Sequence, residues 1–238
     1  MKGDYGKLIG VALAAAVAVA LLVLIVAARH SGPSPEAALQ IALDMVSRSR
    51  GWSFREKIVA WLHGEASEVR AEGVVDAERG ALRSTIVVSR GGGAPRLYIY
   101  YRNRSVALII YEGGVVNATQ SKWRIEDTVL YQAISAALEE PEKEIHRRDD
   151  GLVVVSTGRP TRSAEALYER LFAMAYPEEE PPRPDTASIL VTLSPSGEPR
   201  GLLMVYYLNG DKVLEAVYVV EDFNSPPEVE PPVRGETG

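Results

Sequence analysis

The segment EVRAEGVVDAERGALRSTIVVS (Glu68–Ser89) alternates apolar and polar residues on both sides of a tight turn, Ala77-Glu78-Arg79-Gly80, and reads as two antiparallel strands. The same period runs from Trp52 to Trp123. PRLYIYYRNRSVALIIYEGGVVNATQSKW (Pro95–Trp123) supplies further strands, punctuated at Arg102–Arg104 and at Glu112-Gly113-Gly114. Short strands joined by tight turns make an antiparallel meander rather than a parallel sheet, because parallel neighbours need long crossovers.

Outward from this meander the period changes. Ser34-Pro35 opens a helix with Leu39, Ala42, Leu43 and Val46 on one face, ending near Arg50-Gly51. A second helix begins near Asp127, with Glu126 and Asp127 expected as caps; Leu130, Ala133, Ile134, Ala137 and Leu138 form its stripe and Pro141 stops it. KEIHRRDDGLVVVSTG is expected as a hairpin turned at Asp149-Asp150-Gly151. A third helix, capped by Thr161 or Ser163, carries Ala164, Leu167, Tyr168, Leu171, Phe172 and Ala175 and ends before Pro177. The proline-rich acidic stretch Pro177–Asp185 is a connector. Three final strands are hinged at Ser196-Gly197 and Asn209-Gly210. The class is α+β. Three apolar helical faces need burying, and only one long, strongly curved antiparallel sheet is large enough, with the helices on its concave side.

Before this domain stands LIGVALAAAVAVALLVLIVAA (Leu8–Ala28), uncharged and long enough at 1.5 Å per residue to cross roughly 30 Å of hydrocarbon. Its twelve Leu, Ile and Val residues favour insertion by several kcal/mol. Lys2 and Lys7 bias its N-terminus to the inside, so residues 1–7 are expected in the cytoplasm, 8–28 as a single-pass anchor, 29–35 as a linker, and the domain 36–224 outside the cell membrane. Secretion after signal cleavage near Ala28 is the alternative. Two sequons, at Asn103 and Asn117, agree with an exterior location and are glycosylation candidates.

Composition excludes several functions. Formal charge is −6 over 238 residues, and residues 1–28 contribute +1, so the remainder is acidic. Nucleic acid is therefore not an expected partner. No cysteine is present, which removes disulfides, thiolate metal sites, thiol nucleophiles and a lipidated cysteine. The scarcity of Asn and Gln beside many Glu, Arg and Val hints at a heat-loving source. His30, His63 and His146 have no ligand spacing, Gly91–Gly93 lacks the context of a phosphate cradle, and no nucleophile elbow occurs. No catalytic residue, no metal site and no cofactor is expected.

The paired segment Glu68–Val88, the strand leading to Trp123 and the closing VYVVEDFNSPPEVEPP (Val217–Pro232) together resemble the LolA/LppX-type superfamily of lipoprotein carriers, which includes the mycobacterial lipoproteins LppX and LprG and the stress sensor RseB. The resemblance spans residues 36–232. It implies a half-barrel of antiparallel strands over an apolar cavity plugged by helices. Val213–Phe223 would then be the last strand. Asn224 onward would leave the sheet as a proline-rich tail (225–238) that keeps an edge from recruiting another strand. This chain departs from the mycobacterial relatives in having no cysteine to lipidate; a protein helix would anchor it, which puts a freely shuttling carrier in doubt.

On that fold, Tyr98, Tyr100, Tyr206 and Tyr218 would line the cavity from the strands, and Met45, Leu130, Ile134, Leu171, Phe172 and Met174 from the helices, suiting an acyl chain or another hydrophobic ligand. Two readings follow. One is a membrane-anchored extracytoplasmic domain, non-enzymatic, that binds a hydrophobic ligand or a lipidated molecule. The other is an envelope interaction or sensor module with a filled core and a protein partner.

Overall fold

Alternation decides the first strand. In β1 (Gly51–Leu62) Trp52, Phe54, Ile58 and Ala60 are buried on one side, while Arg55 and Lys57 are exposed on the other. The computed structural model describes residues 32–111 and 114–232. The meander continues through β2 (Glu65–Asp76), β3 (Ala81–Arg90), β4 (Arg96–Arg102), β5 (Val106–Tyr111) and β6 (Gly114–Gln120). β7 (Glu142–Arg148) and β8 (Gly151–Gly158) form the expected hairpin, and β9 (Thr186–Leu193), β10 (Pro199–Leu208) and β11 (Asp211–Glu221) close the chain. His63 sits at φ 52° in the turn between β1 and β2.

Among the described residues three α-helices accompany the strands: α1 (Pro35–Ser47), α2 (Val129–Glu139) and α3 (Arg162–Ala175). Each boundary has a local cause. Thr161 caps α3 by accepting from the Ala164 N–H, and Thr128 caps α2 by accepting from the Tyr131 N–H. The caps expected at Glu126 and Asp127 are thus displaced: both lie in a short 3₁₀ turn (Ile125–Asp127), and Asp127 accepts from the Arg102 guanidinium at 2.7 Å. Threonine wins the cap because it is the residue that adopts the extended backbone just before the helix.

All eleven strands join one open sheet in the order β6-β5-β4-β3-β2-β1-β11-β10-β9-β8-β7, each pairing antiparallel. The β1–β11 pairing, Ser53 opposite Glu221 through Ala60 opposite Leu214, ties the two ends of the domain together. The helices lie side by side on one face. α1 packs on β7 and β8, α2 on β8, β9 and β10, and α3 on β11, β1 and β2. Their stripes make the core with the inner face of the sheet, through side chains such as Leu39, Leu130, Leu167, Phe172 and Ile189. This arrangement is an open, curved half-barrel whose helices cover chiefly the half from β7 to β2.

The closing strand corrects one expectation. β11 is not at an edge but in the middle of the sheet, between β1 and β10, so the prolines after it shield no free strand. The chain turns off the sheet at Asp222 (φ 47°) and Asn224 (φ 66°), and Asn224 anchors the turn by bonding both the Gly51 carbonyl (2.8 Å) and the Arg50 N–H (3.1 Å). Gly51 stands at φ 135°, where a β-carbon would meet the Val75 carbonyl oxygen at 2.0 Å and Pro226 at 2.9 Å. Residues 226–232 then run as a strap over the outer face. There Val229 is buried with Ala81 and Tyr101, flanked by Val74, Val106 and Leu108, and Glu228 pairs with Arg79.

The apolar stretch 8–28, expected as the membrane anchor, lies outside the described residues, as do residues 1–7 and 233–238. Among the described residues no helix is long and apolar enough to cross a membrane.

Candidate ligand cavity

Register builds the site. Residues directly opposite in antiparallel strands share a face, so two rows can be followed across the inner surface. One runs Tyr218, Glu56, Ala71, Ile86, Tyr98, Tyr111, from β11 through β1, β2, β3 and β4 to β5. The next runs Phe54, Gly73, Ser84, Tyr100, Ile109. Apart from Gly73, every one of these residues lines a single cavity of about 1140 Å³. Six flat strands at about 4.8 Å spacing would spread over roughly 24 Å, so their convergence on one cavity requires the bend in the sheet. At Gly73 the Phe54 ring leans across the missing side chain, 2.8 Å from where a β-carbon would be, and stacks on Tyr218 at 5.1 Å between centroids. Tyr98 and Tyr111 stack at 5.0 Å further along.

The roof comes from helix ends. Arg170, Ala173 and Met174 at the end of α3, Pro177 and Glu178 just after it, and Thr128 and Val129 at the start of α2 close over the rows. The helices fill the half-barrel where their stripes meet the sheet and leave the β3–β5 side for the cavity. An exposed loop, Gly93-Ala94-Pro95, lies at its rim beside Arg90 and Arg96. The Arg90 guanidinium sits 4.8 Å above the Tyr176 ring and donates to the Ala175 carbonyl at 2.7 Å, which pins the end of α3 to β3.

Within the two inner rows of the sheet stands a charged group, Glu56. Glu56 is 6% exposed, and its Oε1 has no hydrogen-bond partner in the protein. Burial pushes its carboxyl up to about 7, against the opposing pull of the Arg170 guanidinium. Arg170 itself donates to the Asp127 carbonyl and, at 2.9 Å, to Gln132 Oε1. Beside Glu56, the Tyr218 hydroxyl accepts from the Trp52 indole N–H at 2.9 Å. Burial chiefly raises the pKa of that hydroxyl well above its ordinary value, so it stays protonated.

Four of the ten expected lining residues are at this cavity: Tyr98, Tyr100, Met174 and Tyr218. The other six are elsewhere. Leu130, Ile134, Leu171, Phe172 and Tyr206 are fully buried in the packed layer between helices and sheet. The Tyr206 hydroxyl donates to the Ala164 carbonyl at 3.1 Å, and its ring lies 5.0 Å from that of Tyr168. Met45 is half-buried on α1 beside the turn at Gly197. The physical reason is common to them: a helical stripe is the surface most completely covered by the sheet below it, so its central residues pack solid and only side chains at helix ends reach free volume.

Phe54, Glu56, Ser84, Ile86 and Arg170 were not among the expected wall residues. Glu56 carries a readable signal, since it interrupts the inward series Trp52, Phe54, Ile58, Ala60 with a charge. Of the two sequons, Asn103 is engaged structurally. Its side-chain oxygen accepts from the Ser105 and Val106 N–H groups at 2.8 and 2.9 Å, and its amide donates to the Tyr101 hydroxyl at 3.1 Å. Asn117 is exposed on the edge strand β6.

No protein-family model matches the chain, and a search of curated proteins found no relative. Among solved structures it is similar to the lipoprotein LppX of Mycobacterium tuberculosis, with 12% identity and a TM-score of 0.47 over 84% of this chain and 100% of that one. It is likewise similar to LprF from Mycobacterium bovis, with 11% identity and a TM-score of 0.48 over 85% of this chain and 99% of that one.

Proposed function

We propose that residues 36–224 are an extracytoplasmic, non-enzymatic domain that holds a hydrophobic ligand, or the lipid part of a lipidated molecule, and that residues 8–28 tether it to the cell membrane with the N-terminus inside. The observation that carries this reading is the cavity itself. Its volume of about 1140 Å³ lies just above the roughly 300–1,000 Å³ usual for small-molecule pockets. Its two rows present Phe54, Ile86, Tyr98, Tyr100 and Tyr111 to the interior, surfaces that gain by burying alkyl chains. A protein-partner module with a filled core is the poorer fit, because a cavity of this volume leaves the core unfilled by protein.

Native mass spectrometry of the full chain, purified from its own membranes, tests the reading. A co-purifying hydrophobic species removable by organic solvent is the expected result. Protein that arrives without such a species, and takes up none when offered fatty acids or phospholipids, would refute it. Topology is tested separately by protease applied to intact cells, which should digest the domain; survival of residues 36–224 would reverse the orientation.

A further inference from the structure

The inner row Tyr218, Glu56, Ala71, Ile86, Tyr98, Tyr111 is apolar or aromatic except at one position. We infer that Glu56, with the Tyr218 hydroxyl beside it, is a polar subsite inside the cavity for a hydroxyl group carried on the aliphatic part of the ligand; the inference rests on reading the cavity as a lipid site. Glu56 is more than nine-tenths buried, lines the cavity, and offers an oxygen that no protein group satisfies. A buried acceptor without a partner burdens the fold, and an apolar side chain of equal size would relieve it. Its place in the wall is explained when a ligand supplies the missing donor.

The surroundings select the chemistry of that donor. A ligand carboxylate would be repelled by the ionised Glu56. A ligand ammonium would meet the Arg170 guanidinium, which roofs the same cavity and whose charge reaches Glu56. A neutral hydroxyl suits both neighbours, because it can donate to the carboxylate or accept from the carboxylic acid. With the carboxyl poised near 7, each form is present around neutral pH. Tyr218 completes the pair. The Trp52 indole N–H occupies a lone pair of its oxygen at 2.9 Å and leaves its own proton to be donated to the incoming oxygen. β1 and β11 place Glu56 and Tyr218 directly opposite each other on the inner face, and the Glu56 charge reaches the Tyr218 hydroxyl.

The test offers the delipidated full chain an equimolar pair of probes that share a head group and chain length. One is octadecanoic acid; the other is a mixture of monohydroxylated octadecanoic acids covering all chain positions. Native mass spectrometry reads the ratio of the two bound species in wild type, Glu56→Leu and Glu56→Met. Partition into the detergent is the same for all three proteins and cancels in the comparison. The expected result is a preference for the hydroxylated acid at least about tenfold greater in wild type than in either variant, the scale of a hydrogen bond to a charged group. Two apolar replacements of similar size keep the test decisive should one of them misfold. Equal ratios in wild type and variants overturn the subsite and leave the lipid-cavity reading standing. Retention of neither acid by wild type overturns both.

Discussion

Replacing Glu56 by Gln removes a titrating group from the cavity wall without changing its shape, and the stability of the two proteins should diverge with pH. Glu56 has a folded pKa of about 7 against an ordinary 4.5, raised by burial more than Arg170 lowers it. The proton is therefore held more tightly in the folded chain. Its stabilising contribution is fully present below about pH 4.5 and is lost as pH rises through about 7. The span corresponds to roughly 3 kcal/mol, at about 1.4 kcal/mol per tenfold in proton affinity. For a domain of this size that is on the order of 6–12 °C in Tm. The assay is thermal or denaturant unfolding of the full chain and of E56Q from about pH 4 to about pH 8, followed by tryptophan fluorescence. Trp52, fully buried and bonded to Tyr218, is a reporter next to the site. Carboxylates elsewhere titrate alike in both proteins, so the difference isolates Glu56. Wild type should lose ground steadily against E56Q as pH rises. A difference that stays level over that range would refute the claim that the carboxyl is desolvated.

Phe172→Ala should cost about 3–5 kcal/mol in denaturant unfolding, because a fully buried ring leaves a void in the packed layer; Met174→Ala, at the cavity roof, should cost less and instead alter the ligand retained in native mass spectra. Gly51→Ala should destabilise by at least about 3 kcal/mol, since its β-carbon would overlap the Val75 carbonyl at a positive φ; an unchanged unfolding midpoint would contradict the geometry. Val229→Asp should cost roughly 2 kcal/mol by placing a charge against Ala81 and Tyr101, and limited proteolysis should then cut the strap first.

Local chemistry made most elements readable before any coordinates. Pro141 and Pro177 sit just beyond helix ends, Asn209-Gly210 turns the last hairpin, and the alternation around Ala77–Gly80 marks β2 and β3. What could not be read was the position of the helices along the sheet. That is decided by the pairing of β1 with β11, residues more than a hundred positions apart in sequence, which no local period encodes. A helical stripe announces that it will be buried but not under which strands. For this reason Leu130, Ile134, Leu171 and Phe172 were expected at the cavity although they form the solid layer. Tyr98 and Tyr100 could be placed in the wall because strand alternation puts both on one face. The misplacement of the proline-rich segment has the same origin. Its composition speaks of exclusion from a sheet, and only the tertiary fold reveals that Val229 has a seat on the outer surface.

The helices are gathered over the β7-to-β2 half of the sheet, and this splits the inner surface into two economies of substitution. Where helices press on strands, each side chain is locked to neighbours on both sides, and exchange is penalised at once. Along Ile86, Tyr98 and Tyr111 the inner face borders open space, so those positions can be traded for larger, smaller or more polar ones with little effect on the scaffold. Changes at a few strand residues can therefore reshape the cavity while the architecture is inherited intact.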